Sequence, residues 1–403
     1  MGILVAVADL RQLPAMRTND PVLVIGAGLG GLTAAIALAR AGIAVEVHEA
    51  ASELRETGAG LTLGRGAQHV FRDLGIQREV AAIACPAGSL PFLHYRNARL
   101  LMGAADLGDG LADDGASDIV RHCYRADLQS VLITAAERLG VLIHTGRRLI
   151  GLEQEPNQVT ARFADGSSTA GSVLVGADGV RSAARALLFP GDVPRYTSHL
   201  AYRFLVPAQQ AGPFMGLGRS AIFIGPRRTF NRYTMAGGEV INCAGLVETD
   251  EVVGEGWSIG ASRDEVARAF AGWHPDVLGL IEQAGPIIKW GLYDRAPLPR
   301  WSVGRVTLLG DAAHAMLPFL GAGAAMAIED GWALARALQL EPEIATALAR
   351  YEAARRPRTE LLHAMSKRQG EVTQAIDPDT FVPSTAPLSN EAVMGFNPVD
   401  AGV

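Results

Sequence analysis

The run Val22-Leu23-Val24-Ile25-Gly26-Ala27-Gly28-Leu29-Gly30-Gly31-Leu32-Thr33-Ala34-Ala35-Ile36-Ala37-Leu38-Ala39 decides how the chain is read. It carries no charge, and an apolar stretch of this length could in principle cross a bilayer. The cluster Gly26, Gly28, Gly30 and Gly31 divides it instead into a short β-run, Val22–Ile25, and an Ala/Leu-rich helix expected over Leu32–Ala41. A second strand is expected over Val45–Glu49. Such a β-α-β unit is the smallest piece of a doubly wound parallel sheet.

Gly26, Gly28 and Gly31 stand in G-x-G-x-x-G spacing between a strand and a helix, with Gly30 beside them. Glycines there let the backbone approach a pyrophosphate, whose charge meets the exposed N–H groups at the helix start. Glu49 follows about twenty residues on, where a carboxylate accepts from ribose hydroxyls. This pattern indicates a dinucleotide but does not separate NAD from FAD. A second segment does: Gly310-Asp311-Ala312-Ala313-His314, followed by Pro318 and Gly321-Ala322-Gly323. A strand expected over Val306–Leu309 ends in Gly-Asp, offering a carboxylate to the polyol chain of a flavin. The glycine turn opens a helix whose positive end favours an anionic reduced flavin. FAD is the cofactor this indicates.

Working outward, 403 residues at 49% hydrophobic and a mean hydropathy of +0.17 leave room for two domains. A net charge of −6 and a pI near 5.9 give no basic footprint for nucleic acid. Cys85, Cys123 and Cys243 are scattered and odd in number, which argues against a disulfide framework and fits a reducing cytoplasm. The nine histidines form no H-x-x-x-H pair, so no metal site is expected. No membrane association is expected either. Residues 1–20 lack the charge and apolar pattern of a signal peptide and read as an extension.

Gly103–Asp118 reads as a solvated loop, and Asp127–Leu139 as a helix. Short strands are expected near Val141–His144, Val159–Phe163 and Val173–Val175. Between Tyr196 and Pro299 the texture changes: His199–Val206, Ala221–Ile224, Phe230–Met235 and Val240–Val247 are separated by Gly and Pro and suggest an antiparallel sheet. Helices return at Ala324–Leu338 and Ile344–Arg355. The fold class is therefore α/β, a doubly wound, Rossmann-like FAD-binding domain with a second, antiparallel-sheet substrate domain. The division places residues 21–85, 120–195 and 300–375 in the first, 86–119 and 196–299 in the second, and leaves 376–403 as a tail.

Three motifs in fixed order carry a resemblance: the glycine fingerprint, Val175-Gly176-Ala177-Asp178-Gly179-Val180-Arg181-Ser182, and Leu309-Gly310-Asp311-Ala312-Ala313-His314. Tyr124-Arg125-Ala126-Asp127-Leu128, Glu329-Asp330, Tyr351-Glu352 and Arg355-Arg356-Pro357 extend it. From about Pro21 to Gln374 the chain resembles the class A flavoprotein monooxygenases, the family of salicylate and hydroxybenzoate hydroxylases. The resemblance implies that Gly26, Gly28, Gly30, Gly31 and Glu49 hold the ADP half of FAD. It places Arg125 at the phosphate or ribityl region, Asp178 at the FAD and nicotinamide pyrophosphates, Gly310 and Asp311 at the ribityl chain, and Pro318 through Gly321, Ala322 and Gly323 beside the isoalloxazine ring.

His314 reads as a packing and hydrogen-bonding residue, and His94 as an ordinary strand residue. The family's loop proline is commonly followed by a histidine that activates a phenol; here Phe319 follows Pro318. Tyr202, Arg203 and Tyr233 are the substrate-side candidates, Arg203 for a carboxylate and Tyr233 for the missing proton acceptor. The implied reaction is NAD(P)H- and dioxygen-dependent hydroxylation of a small phenolic or aromatic-acid substrate through a flavin C4a-hydroperoxide, by a monomer or homodimer. An N-heteroaromatic or quinolone substrate remains open at this point, as does an oxygen-independent FAD reductase.

Overall fold

The computed structural model describes residues 20–54, 60–88, 90–103, 120–251, 259–381 and 396–403. The extension and the Gly103–Asp118 loop fall almost wholly outside them. The opening run is split as the glycines demand, into a strand Val22–Ile25 and a helix Leu29–Arg40. That helix begins earlier than expected: the Leu32 N–H reaches the Gly28 carbonyl at 2.9 Å, which draws Gly30 and Gly31 into the first turn.

Five parallel strands lie in the order Val306–Leu308, Val173–Gly176, Val22–Ile25, Val45–His48, Leu142–His144. Read in chain order this is 5-4-1-2-3, a doubly wound sheet whose outer strands leave from opposite sides of the first. Its central strands are apolar throughout because both faces are covered, one by helices and the other by a three-stranded antiparallel sheet of Leu149–Gln154, Val159–Phe163 and Ser168–Gly171. The helices Leu29–Arg40 and Gly323–Leu340 pack together, and Ile344–Thr373 lies on the second. Among the described residues no helix is long and apolar enough to cross a membrane.

A second sheet has eight strands, all antiparallel except for one parallel junction between Ser220–Gly225 and Phe92–His94. Its central members are Arg195–Pro207, Val240–Glu248 and Arg228–Met235. One face buries its own aromatic cluster, including Phe204, Phe223, Phe230 and Phe270, against the helices Arg263–Ala269 and Pro275–Glu282. The other face meets a small sheet that the sequence did not announce, with Arg121–Tyr124 paired between Gly60–Leu63 and Ala84–Pro86. The last residues return to the first core, where Phe396 lies 3.9 Å beneath the Arg358 guanidinium.

The Ile344–Thr373 helix corrects an expectation: it runs through Pro357 instead of ending at Arg355. Proline removes one helical hydrogen bond and crowds the preceding turn. Contacts further along hold the helix in place. Arg358 pairs with Glu329, the Ser366 hydroxyl donates to the Leu317 carbonyl, and Gly370 lies against Phe319.

Candidate active site

Each fingerprint glycine is required for a different reason. Gly26 sits at φ +109°, and a Cβ there would lie 2.5 Å from the Ala177 carbonyl oxygen. A Cβ at Gly31 would stand 2.1 Å from the Gly26 oxygen, so the turn closes only without side chains. Gly28 is the opposite: nothing of the protein lies within 4 Å of a Cβ there. It leaves an open approach to the helix start. Gly30 faces the Gly323–Leu340 helix, 2.7 Å from Leu309 Cδ1 and 3.0 Å from the Ala327 oxygen by the same measure.

Between these glycines Ala27 is gripped on both sides. Its N–H donates to Glu49 Oε2 at 2.8 Å, and its carbonyl accepts from Gln129 Nε2 at 2.9 Å. Glu49 stands just beyond its strand and takes the Ala51 N–H on its other oxygen, at 2.8 Å. Gln129 has no sequence signal, because its partner lies 102 residues away.

The Asp178 carboxylate is turned onto its own chain. It accepts from the Ser182 hydroxyl and from the Ala183 and Ala184 N–H groups at 2.7 and 3.1 Å, capping the helix Ala183–Leu188. Burial nevertheless pushes its pKa up. Sequence reasoning also passed over Arg185, which is wholly buried. Its Nη1 donates to the Ala312 and Ala313 carbonyls at 3.1 and 2.9 Å, and its Nε to Asp192 at 2.6 Å. Arg185 thus ties the Asp178 segment to the Gly310-Asp311 segment.

Gly310 turns the chain at φ +58°. Its N–H donates to Asp330 Oδ2 at 3.0 Å, and the same oxygen pairs with His314 Nε2 at 2.5 Å. Arg355 Nε reaches Asp330 Oδ1 at 2.7 Å, and Arg355 and Arg358 together hold Glu329. Burial alone would raise the Asp330 carboxyl, but His314 and Arg355 outweigh it and hold it down to about 2. His314 therefore has the packing and hydrogen-bonding place expected of it. In front of this anchored turn Asp311 is exposed, without a hydrogen-bond or ion-pair partner recorded among the described residues. Its Oδ1 lies 3.8 Å from where a Cβ at Gly323 would stand, at the start of the Gly323–Leu340 helix. The open Gly28 position, the bare Gly323 and the outward Asp311 carboxylate form a cradle that fits FAD.

The inner face of the large sheet supplies the floor. Strand pairing sets Trp290, Ala201 and Leu246 in one row and Arg203, Ala244 and Asn231 in the next. Asn242 and Tyr233 form a third row. Phe319 packs on the first row, edge-on to His199 at 5.8 Å and against Gly370. Small Ala244 stands opposite Arg203 across the strands, and the Arg203 guanidinium lies 5.2 Å from the Trp290 ring centre. No carboxylate among the described residues pairs with Arg203, and its Nε has no hydrogen-bond partner. Burial lowers its pKa and the charge of Arg125 adds to that, while Tyr233 opposes them. Burial also raises the Tyr233 hydroxyl to about 12, so it stays protonated at neutral pH.

Tyr202 corrects an expectation. Neighbouring strand residues face opposite ways, so with Arg203 turned inward Tyr202 points away, and its hydroxyl donates to Glu265 at 2.9 Å. Above the floor the small sheet contributes Gly60, Thr62 and His122. His122 stacks on Tyr233 at 4.2 Å, and its Nδ1 lies 3.2 Å from Thr62 Oγ1. Thr62 in turn abuts the Gly321 turn, 3.6 Å from where a Cβ there would stand. Arg203, Tyr233, Phe319 and the Pro318–Gly323 loop thus come together, while Asp178 is directed into its own helix.

Residues 19–203 and 246–366 match the FAD binding domain family. A 3-amino-4-hydroxybenzoate 2-monooxygenase of Streptomyces platensis is 36% identical over 88% of this chain and 88% of its own. A 6-hydroxynicotinate 3-monooxygenase of Bordetella bronchiseptica is 36% identical over 80% and 83%. Among solved structures, Klebsiella pneumoniae HpxO complexed with FAD and uric acid superposes with a TM-score of 0.82 at 26% identity, covering 96% of this chain and 98% of that one.

Proposed function

The chain belongs to the FAD binding domain family, among the class A aromatic monooxygenases, and on that premise we propose that its site takes a small aromatic acid, a hydroxybenzoate or an N-heteroaromatic counterpart. It is an FAD-dependent monooxygenase that draws electrons from NADH or NADPH and acts on an aromatic ring. Bound FAD supplies hydride acceptance and oxygen activation. The chain's own residues bind, orient and exclude water. Gly26, Gly28 and Gly31 admit the pyrophosphate, Glu49 holds the ribose end, and Asp311 meets the ribityl hydroxyls. Arg125 lies beside this path, and Phe319 with Leu317 shields the ring side from water.

One observation carries the substrate class: a half-buried Arg203, which no carboxylate among the described residues pairs with, beside the small Ala244 and a protonated Tyr233 hydroxyl. Such a cation is stabilised by a bidentate carboxylate from outside the chain. The same reading includes dioxygen as co-substrate and a monomer or homodimer in the cytoplasm, the last supported by three buried free cysteines. It also assigns residues 21–85, 120–195 and 300–375 to cofactor binding and 86–119 and 196–299 to substrate binding, a division that follows the two main apolar cores. The test is Arg203→Gln titrated with benzoate, followed through the flavin absorbance. Loss of a charged hydrogen-bonded pair costs about 1.5–3 kcal/mol, roughly ten- to a hundredfold in Kd. Unchanged affinity in a variant that still holds FAD would remove Arg203 from the carboxylate's place.

A further inference from the structure

We propose that His122 reads the ring hydroxyl of the substrate and accepts its proton, standing in for the acceptor that Phe319 cannot supply. This rests on the aromatic-acid reading of Arg203. The reasoning is by exclusion and by geometry. Hydroxylation of a phenolic ring is helped by drawing the proton from the oxygen, which makes the ring electron-rich. Phe319 has no lone pair to offer. The Tyr233 hydroxyl keeps its proton at neutral pH and acts as a donor. Asn242 Oδ1 is taken by the Gly60 N–H at 3.1 Å, and its buried, unpartnered Nδ2 can only donate.

His122 remains. It is 3% exposed, lies in the Arg121–Tyr124 strand, and stacks on Tyr233 at 4.2 Å with ring planes 25° apart. Its Nε2 is buried without a partner among the described residues, whereas Nδ1 is held by Thr62. With the Nδ1 proton donated to Thr62 Oγ1, Nε2 carries the lone pair. Burial pushes the imidazole down to about 4, which keeps it neutral at rest and a hydrogen-bond acceptor for the ring hydroxyl; it takes the proton only as charge leaves the ring oxygen during oxygen transfer, so no standing phenolate forms. Thr62 connects it to the Gly321 turn beside the cofactor loop, and Tyr233 connects it to Arg203. A carboxylate on Arg203 and a hydroxyl at His122 would hold one ring at two points over Ala244. In the step itself the substrate O–H bond breaks and an Nε2–H bond forms. As the hydroxylated carbon's C–H bond breaks and releases its proton to solvent, the Nε2 proton returns to the ring oxygen and the ring regains aromaticity. NAD(P)H and dioxygen, the co-reactants of the proposed monooxygenase reaction, supply the electrons and the oxygen atom.

The experiment uses FAD-loaded protein titrated with benzoate and with its 2-, 3- and 4-hydroxy derivatives, read by flavin absorbance. Wild type should prefer one hydroxy isomer over benzoate by tenfold or more. His122→Leu should abolish that preference while leaving the benzoate Kd within twofold. His122→Gln keeps an acceptor oxygen and should retain the preference, but lose most of kcat at little cost in KM. If His122→Leu fails to hold FAD, the His122→Gln kinetics decide alone: a kcat within twofold of wild type overturns the proposal. Equal weakening of benzoate and hydroxybenzoates in His122→Leu would make His122 a packing residue, and an intact preference would place the hydroxyl elsewhere. Wild type that binds none of the four overturns the Arg203 reading, and the role of His122 with it.

Discussion

Asp311 and Asp330 are carboxylates of adjoining segments with opposite surroundings. Asp311 is exposed and faces Gly323, whereas Asp330 is wholly buried among Gly310, His314 and Arg355. We expect Asp311→Ala to fold normally and lose about 1.5–3 kcal/mol of FAD affinity, roughly ten- to a hundredfold. A flavin titration of the folded variant checks this, and undiminished affinity would deny the ribityl contact. Asp330 should show itself in acid. Its pKa falls from 3.8 unfolded to about 2 folded, so within that interval the unfolded chain binds the extra proton. The stability it contributes is complete above about pH 4 and is lost as pH falls through about 2. Asp330→Asn should flatten the acid limb of the denaturation profile and cost about 3–5 kcal/mol at pH 7. An unchanged acid limb would contradict the network. Asp311 was legible in the sequence because a Gly-Asp pair ends an apolar run. Arg185 and Gln129 were not: each acts on a carbonyl more than a hundred residues away, and no local pattern marks such a partner.

At the scale of elements, one residue type serves two ends. Where the helices Leu29–Arg40 and Gly323–Leu340 cross, a Cβ at Gly331 would lie 2.6 Å from the Gly30 oxygen, backbone that cannot yield cheaply. Gly331→Ala should therefore lower the midpoint of denaturant unfolding by overpacking worth about 1–3 kcal/mol. Gly28 is at φ −74° with no protein atom within 4 Å of a Cβ, so Gly28→Ala should keep the unfolding midpoint and lose FAD. The reverse pattern, with Gly331→Ala neutral or Gly28→Ala destabilising, would contradict the division of roles. Helix and strand patterns gave most of these elements, including Val22–Ile25 and Val159–Phe163 to the residue. They failed at Pro357, where a local stop signal is overridden by contacts from two other segments, the Gly323–Leu340 helix and the Leu317–Phe319 loop. They failed again at the small Gly60–Leu63 sheet, whose strands are too short to show a period.

At the scale of the molecule, the cofactor motifs lie at the ends of parallel strands, and the floor of the site lies on a separate sheet with its own apolar core. The cofactor half could be read from glycine spacing, because backbone approach to a phosphate constrains residue type. The substrate half could be read only as candidates: alternation along the Arg195–Pro207 strand leaves open which of Tyr202 and Arg203 faces inward until its partners are known. The reaction follows from joining the two halves, so it is best tested on the whole enzyme. FAD-loaded protein is supplied with NADH or NADPH and with each of salicylate, 3-hydroxybenzoate, 3-amino-4-hydroxybenzoate and 6-hydroxynicotinate, while reductant, oxygen and products are followed together. We predict that at least one acid accelerates reductant oxidation with matching oxygen uptake and yields a product bearing one additional hydroxyl. Reductant oxidation that no aromatic acid stimulates, or that proceeds without oxygen uptake, would contradict the assignment and leave an oxygen-independent flavin reductase.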